Sequence, residues 1–221
     1  MEVPCLCLVA DTSVVGADQL AQRVSAAVSG GVGLVQLRAK ELPGGQLLSL
    51  TSELKAAIGG RAALIVNERV DVAAAAVADG VQLGEEALPV TEARKLLPNG
   101  ALIGRSVHSV EGAVRAEAAG ADVLVVGTMF PTGSHPGVDP AGPGLMRETS
   151  LRCSIPLIGI GGINPNNLAE VMTAGGSGIA VIRSILAAPD PQAAAEELKT
   201  ALHDAWQSRL TLIEPAPARI Q

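Results

Sequence analysis

Short apolar runs alternate along the chain with segments whose apolar residues return at helical spacing. The first run, VPCLCLVA at residues 3–10, is continuous, as in a parallel strand covered on both faces. Residues 17–31, ADQLAQRVSAAVSGG, carry the helical period and close on Gly30 and Gly31. Further strands are predicted at 33–38, 62–67, 80–83, 101–105, 122–127, 156–162 and 178–182. Further helices are predicted at 44–57, 70–78, 90–97, 110–119, 145–150, 167–174 and 191–206, with Asn164 or Asn166 capping the segment at 167.

Eight strands thus alternate with eight helical segments, in units of roughly 20 to 30 residues. That order predicts an α/β fold, a closed (β/α)8 barrel (TIM barrel), as one domain over residues 1–206, with a loose tail at 207–221. A doubly wound open sheet is the alternative, but VADTSVVGAD at 9–18 carries no dinucleotide fingerprint. Gly33, Gly80, Gly159 and Ala180 would thin the barrel locally.

Composition narrows the possibilities. Hydrophobic residues make up 48%, and the aromatics are Phe130 and Trp206 alone, so the core must be aliphatic. No aromatic platform is available for stacking bases, and the net charge of −6 includes no basic run to follow a phosphate backbone, which excludes a nucleic-acid partner. Cys5, Cys7 and Cys153 lack metal-site spacing and read as small buried thiols. No signal peptide and no run long enough to span a membrane is present, so a cytoplasmic protein is expected.

In a barrel, binding groups gather where the βα loops meet, at the carboxyl ends of the strands. Polar residues fall at those ends: Gln36, Arg38 and Lys40; Asn67 and Glu68; Gln82, Glu85 and Glu86; Ser106 and His108; Thr128, Thr132, Ser134 and His135; Arg183 and Ser184. Alternation puts Gln36, Arg38 and Lys40 on one side, suggesting a small anionic substrate, or else an ion pair from Arg38 to Glu68 or Glu85. GIGGINPNN at 159–167 reads as a phosphate cradle through Gly161 and Gly162, with AVIRS at 180–184 opening a second helix beside it. His108 can exchange a proton near neutrality, or it and Ser109 merely cap a helix.

Seven stretches in order resemble the thiamin phosphate synthase and thiazole tautomerase superfamily. They are QLRAK (36–40), LIVNERVDVA (64–73), ADGVQLGEEALP (78–89), IGRSVHS (103–109), ADVLVVGTMFPTG (121–133), PLIGIGGINPNN (156–167) and GIAVIRSI (178–185). The resemblance implies a barrel, a small phosphorylated thiazole as ligand and a homodimer. It also implies one of two activities. The synthase joins an aminopyrimidine pyrophosphate to thiazole phosphate with magnesium; the tautomerase aromatises a carboxythiazole phosphate without metal or other cofactor.

Departures from the synthase pattern favour the tautomerase. Its two magnesium-binding aspartates correspond to Glu68 and Ala87, its usual histidine to Gln82, and its loop lysine falls near His135. Magnesium demands near-ideal octahedral geometry, so the missing ligand atom at Ala87 counts against it. The leading expectation is therefore metal-independent tautomerisation. His108 would move the proton, Arg38 or Lys40 would face the ring carboxylate, and Gly161, Gly162, Arg183 and Ser184 would hold the phosphate.

In the synthase alternative, Asn67, Glu68 and Glu86 would hold magnesium. Arg38, Lys40, Thr132 and Ser134 would grip pyrophosphate, and Gln36 would face the pyrimidine. Gln36, Asn67, Gln82 and Ser106 are candidate substrate contacts in either case. A non-catalytic thiazole phosphate binder is the third reading.

Overall fold

The computed structural model describes residues 1–133, 137 and 139–213. Eight strands, β1 (Cys5–Asp11), β2 (Leu34–Arg38), β3 (Ala63–Asn67), β4 (Gly80–Leu83), β5 (Leu102–Val107), β6 (Val123–Gly127), β7 (Leu157–Ile160) and β8 (Gly178–Val181), close in sequence order into a parallel barrel. The helices are α1 (Ala17–Ser29), α2 (Gly44–Ile58), α3 (Val70–Ala75), α4 (Val90–Leu96), α5 (Val110–Ala118), α6 (Gly142–Ser150), α7 (Leu168–Thr173), α8 (Arg183–Leu186) and α9 (Pro191–Ile213). The fold is the predicted TIM barrel, and the open-sheet alternative falls with the β1–β8 pairing that closes the ring. Among the described residues no helix is long and apolar enough to cross a membrane.

Strand alternation divides the side chains between two apolar clusters. One set, including Leu6, Leu8, Leu37, Leu64, Leu83, Ile103 and Leu124, packs outward against the helices. The other, including Cys5, Cys7, Val9, Leu34, Ile65, Val125, Ile158 and Ala180, fills the barrel interior. Cys5 and Cys7 are therefore the buried thiols expected, and burial pushes the Cys5 thiol up to about 11. Cys153 is only half-buried, because it follows α6 rather than lying on a strand.

Three local expectations need correction. The helix expected to open at AVIRS is α8, only four residues long and separate from the last helix, so nine helices are described against the eight segments counted in the sequence. The last helix does not stop at Trp206: it runs to Ile213, and Arg209 lies 5.3 Å from the Trp206 ring while its Nη1 donates to the Gly176 carbonyl at 2.7 Å. Residues 214–221 lie outside the described part. Neither Asn164 nor Asn166 caps α7. The Asn164 side chain accepts from the Asn166 N–H at 2.9 Å, while Asn167 accepts from the Asn164 N–H at 2.8 Å and donates to the Gly162 carbonyl at 3.0 Å. These amides stiffen the loop after β7 instead.

Close strand contact explains one glycine and exempts another. A Cβ on Gly80 would fall 2.0 Å from the Leu102 carbonyl oxygen, a backbone atom that cannot swing away, whereas nothing lies within 4 Å of a Cβ on Gly33. Gly80→Ala should lower the unfolding free energy by about 1–3 kcal/mol in a denaturant titration, with Gly33→Ala near wild type. Equal stability of the two variants would contradict this packing.

Candidate active site

The interior positions change character toward the carboxyl end of each strand. On β1 the inward series Cys5, Cys7, Val9 ends in Asp11; on β2 Leu34 gives way to Gln36 and Arg38; on β3 Ile65 gives way to Asn67. On β4 Gln82 follows Gly80, and on β5 Ser106 follows Leu102 and Gly104. The apolar plug therefore stops partway up, and a polar cavity of about 530 Å³ opens above it. Val9, Val125, Ile160 and Ile182 supply apolar wall.

Most predicted residues meet there. Arg38, Lys40 and His108, Gln36, Asn67 and Ser106, and Thr132, Gly161, Gly162, Arg183 and Ser184 all line the cavity. Gln82 does not: it is 2% exposed and lies beneath the lining. Ser134 and His135 lie outside the described residues.

Arg38 takes a partner that the sequence reading missed. Neither Glu68 nor Glu85 pairs with it; its Nη1 donates to Asp11 Oδ2. The register places Asp11 directly beside Arg38, and Asp11 Oδ1 accepts from the Ser13 backbone N–H at 2.8 Å and hydroxyl at 2.7 Å. Burial pushes the Asp11 carboxyl up, but the Ser13 and Arg38 hydrogen bonds together outweigh it and hold it below the ordinary carboxylate range. The aspartate side chain is 6% exposed and the arginine 33%, so one edge of the guanidinium is anchored while the rest faces the cavity. The signal was present in the sequence: Asp11 continues the inward alternation Cys5, Cys7, Val9.

The acidic stretch after β4 is sorted by its turn. The Arg105 guanidinium donates to the Leu88 carbonyl at 3.1 Å and to the Glu85 carbonyl at 2.7 Å, and the Ala87 N–H donates to Gly84 at 3.1 Å. Ala87 packs against the outer apolar cluster. Glu85 lines both the mouth and a neighbouring groove between α4 and α5, with its Oε1 3.5 Å from where a Cβ on Gly112 would sit; Glu86 lines the groove alone. Glu68 and Glu86 thus line different recesses, since adjacent residues leave a turn in different directions.

Glu68 has φ 61°, in the left-handed region that non-glycine residues avoid. Its N–H donates to the Gln82 carbonyl at 2.8 Å, and its Oε1 lies 2.7 Å from where a Cβ on Gly84 would sit. Gly84 thus makes room for the carboxylate. Gly161 (φ 104°) and Gly162 (φ 64°) form the opposite wall; Cβ atoms there would strike Thr128 Cγ2 at 2.4 Å and the Pro131 carbonyl at 2.5 Å. Beside them the Ser184 hydroxyl donates to the Ile163 carbonyl at 3.1 Å. His108 Nδ1–H donates to the Gly127 carbonyl at 2.7 Å, which fixes the ring and leaves Nε2 as its second polar atom.

Because its folded pKa is depressed, Asp11 stabilises the fold above its unfolded value and loses that contribution as pH falls through the folded one. Asp11→Asn should cost about 1–3 kcal/mol near neutrality. The gap from wild type should narrow below about pH 4 in parallel urea titrations. A gap independent of pH would contradict the pairing.

Comparison with known proteins bears on which reaction this mouth serves. A family model described as thiamine monophosphate synthase matches residues 6–185. The thiamine-phosphate synthase of Methanoculleus marisnigri is 47% identical over 178 residues, covering 78% of this chain and 83% of that protein. That of Methanospirillum hungatei is 45% identical over 172 residues, covering 77% and 84%. The structure of thiamine phosphate pyrophosphorylase from Pyrococcus furiosus superposes with a TM-score of 0.83 at 36% identity, over 91% of this chain and 96% of that one. The expectation of a tautomerase, an isomerase, is overturned by these synthase relatives. With a match over residues 6–185, the chain belongs to the thiamine monophosphate synthase family.

Proposed function

We propose that this chain is a thiamine-phosphate synthase, a transferase that joins an aminopyrimidine pyrophosphate to a thiazole phosphate and releases pyrophosphate. What supports the reading is that one cavity is lined by two groups whose chemistry suits anions. Arg38, Lys40 and Thr132 form one; Gly161, Gly162, Arg183 and Ser184 form the other. A reaction between two phosphorylated substrates uses both.

The family implies magnesium. Glu68 and Asn67 line the cavity, and magnesium is commonly held by one or two carboxylates plus substrate phosphates. Among the described residues no group of three or more His, Cys, Asp or Glu is placed to hold a metal alone, so phosphate oxygens would complete the shell. The residues present fit on those terms. When bound, the ion would neutralise charge on the leaving pyrophosphate.

Arg38, oriented by Asp11, presents its remaining N–H groups to the pyrophosphate, and Lys40 adds a second positive charge. As the C–O bond ionises, its electron pair leaves with pyrophosphate, and these cations stabilise the charge that develops. The thiazole, held through its phosphate at Gly161 and Gly162, brings its ring nitrogen to the methylene carbon. The nitrogen lone pair forms the new C–N bond. Val9, Val125, Ile160 and Ile182 keep water from that carbon, where it would give an alcohol instead. No proton changes hands in the bond exchange, so His108 is a wall residue rather than a base.

Purified protein with both substrates should form thiamine phosphate in the presence of magnesium and stop when EDTA is added. His108→Asn should keep synthesis within about tenfold of wild type, since losing a true general base costs about 10²–10⁴-fold. Absence of product with magnesium would sink the reading; a loss of about 10³-fold in the histidine variant would refute the proton-free step.

A further inference from the structure

Gln82 presents a cost that the fold does not require. It is 2% exposed, and among the described residues its Oε1 is buried with no hydrogen-bond partner. A buried unpaired carbonyl is destabilising, and its retention calls for a reason outside stability. Its other amide atom has a partner: Nε2 donates to Ser106 Oγ at 3.0 Å. The register sets Gln82 beside Gly104, and a Cβ on Gly104 would fall 2.0 Å from Oε1, so the amide occupies space that only glycine leaves open.

The consequence lies one inward position higher. Ser106 lines the cavity, and its oxygen is already an acceptor for Gln82, so its own hydrogen is left to donate. Across the mouth the Gln36 amide is set in the opposite sense. Its Nε2 donates to Asn67 Oδ1 at 3.0 Å, leaving Oε1 as an acceptor. One donor and one acceptor therefore face the same cavity. An aminopyrimidine edge, with an exocyclic N–H beside a bare ring nitrogen, is their complement.

We propose that Gln82 is a positioning residue that fixes the Ser106 hydroxyl as donor to the ring nitrogen of the pyrimidine substrate. The proposal rests on the synthase reading for the identity of that substrate. Gln82 itself touches no substrate; it acts through Ser106.

Calorimetric titration with the aminopyrimidine pyrophosphate and, separately, with inorganic pyrophosphate tests it. Gln82→Met preserves volume and removes the unpaired carbonyl. It should weaken binding of the aminopyrimidine pyrophosphate about tenfold, near the worth of one hydrogen bond, and leave inorganic pyrophosphate unchanged. Its melting temperature should equal or exceed that of wild type, the reverse of what a structural role gives. Ser106→Ala should show the same selective loss, and the double variant should be no worse than either single one. Gly104→Ala, which displaces the amide, should reproduce the loss. Equal weakening for both ligands, additive losses in the double variant, or a lower melting temperature with affinity kept would overturn the assignment. So would a wild-type protein that binds both ligands alike. Turnover plays no part in this titration: a wild type that binds selectively but makes no thiamine phosphate refutes the synthase and still supports the role of Gln82.

Discussion

Closing eight parallel strands into a ring obliges every second side chain to point inside. Most features of the molecule follow from where those inward positions stop being apolar. Below that level Cys7, Leu34, Ile65 and Ile158 fill the interior without a charge. Above it Asp11, Gln36, Arg38, Asn67 and Ser106 occupy the same rows, held at fixed spacing by backbone hydrogen bonds that a closed barrel leaves unpaired at no edge. The polar floor of the mouth is thus a continuation of the core by other residue types. Its geometry is as rigid as the strands that carry it.

Rigidity of this kind lets one charge be used twice. Asp11 lies deep enough that an isolated carboxylate would be costly, and Arg38 and the two Ser13 donors offset that cost. In return Arg38 is held by one edge rather than by contacts with ligand. A preoriented guanidinium loses less freedom when an oxyanion arrives. The same logic runs through the neutral groups. Gln36 with Asn67, and Gln82 with Ser106, leave the mouth with a set pattern of donors and acceptors before any substrate enters.

The strands were legible because their apolar runs are short, evenly spaced and bounded by glycine or by helical periodicity. Gln36, Arg38, Asn67 and Ser106 were legible as strand-end polar residues. Asp11 was not, because a carboxylate following an apolar run reads equally as the start of a turn; the alternation from Cys5 was the signal to follow. The separate directions of Glu85 and Glu86 were hidden in the turn that Arg105 pins, which no local pattern specifies. Gln82 kept its inward direction but lies below the mouth, since depth depends on how neighbouring strands are staggered. The last helix was cut short at Trp206, although no glycine or proline intervenes before Pro215. The family was readable from seven ordered motifs, while the departures at Ala87, at Gln82 and near His135 pointed to the wrong reaction.

The central claim is that the strand-end polar residues gather two phosphorylated molecules into one mouth. A crystal structure of the protein with thiamine phosphate, magnesium and pyrophosphate tests it most directly. The account predicts the phosphate of thiamine phosphate against Gly161, Gly162 and Ser184, and pyrophosphate against Arg38 and Lys40. Ligand density in the groove between α4 and α5, or a single anion shared by both clusters, would contradict it.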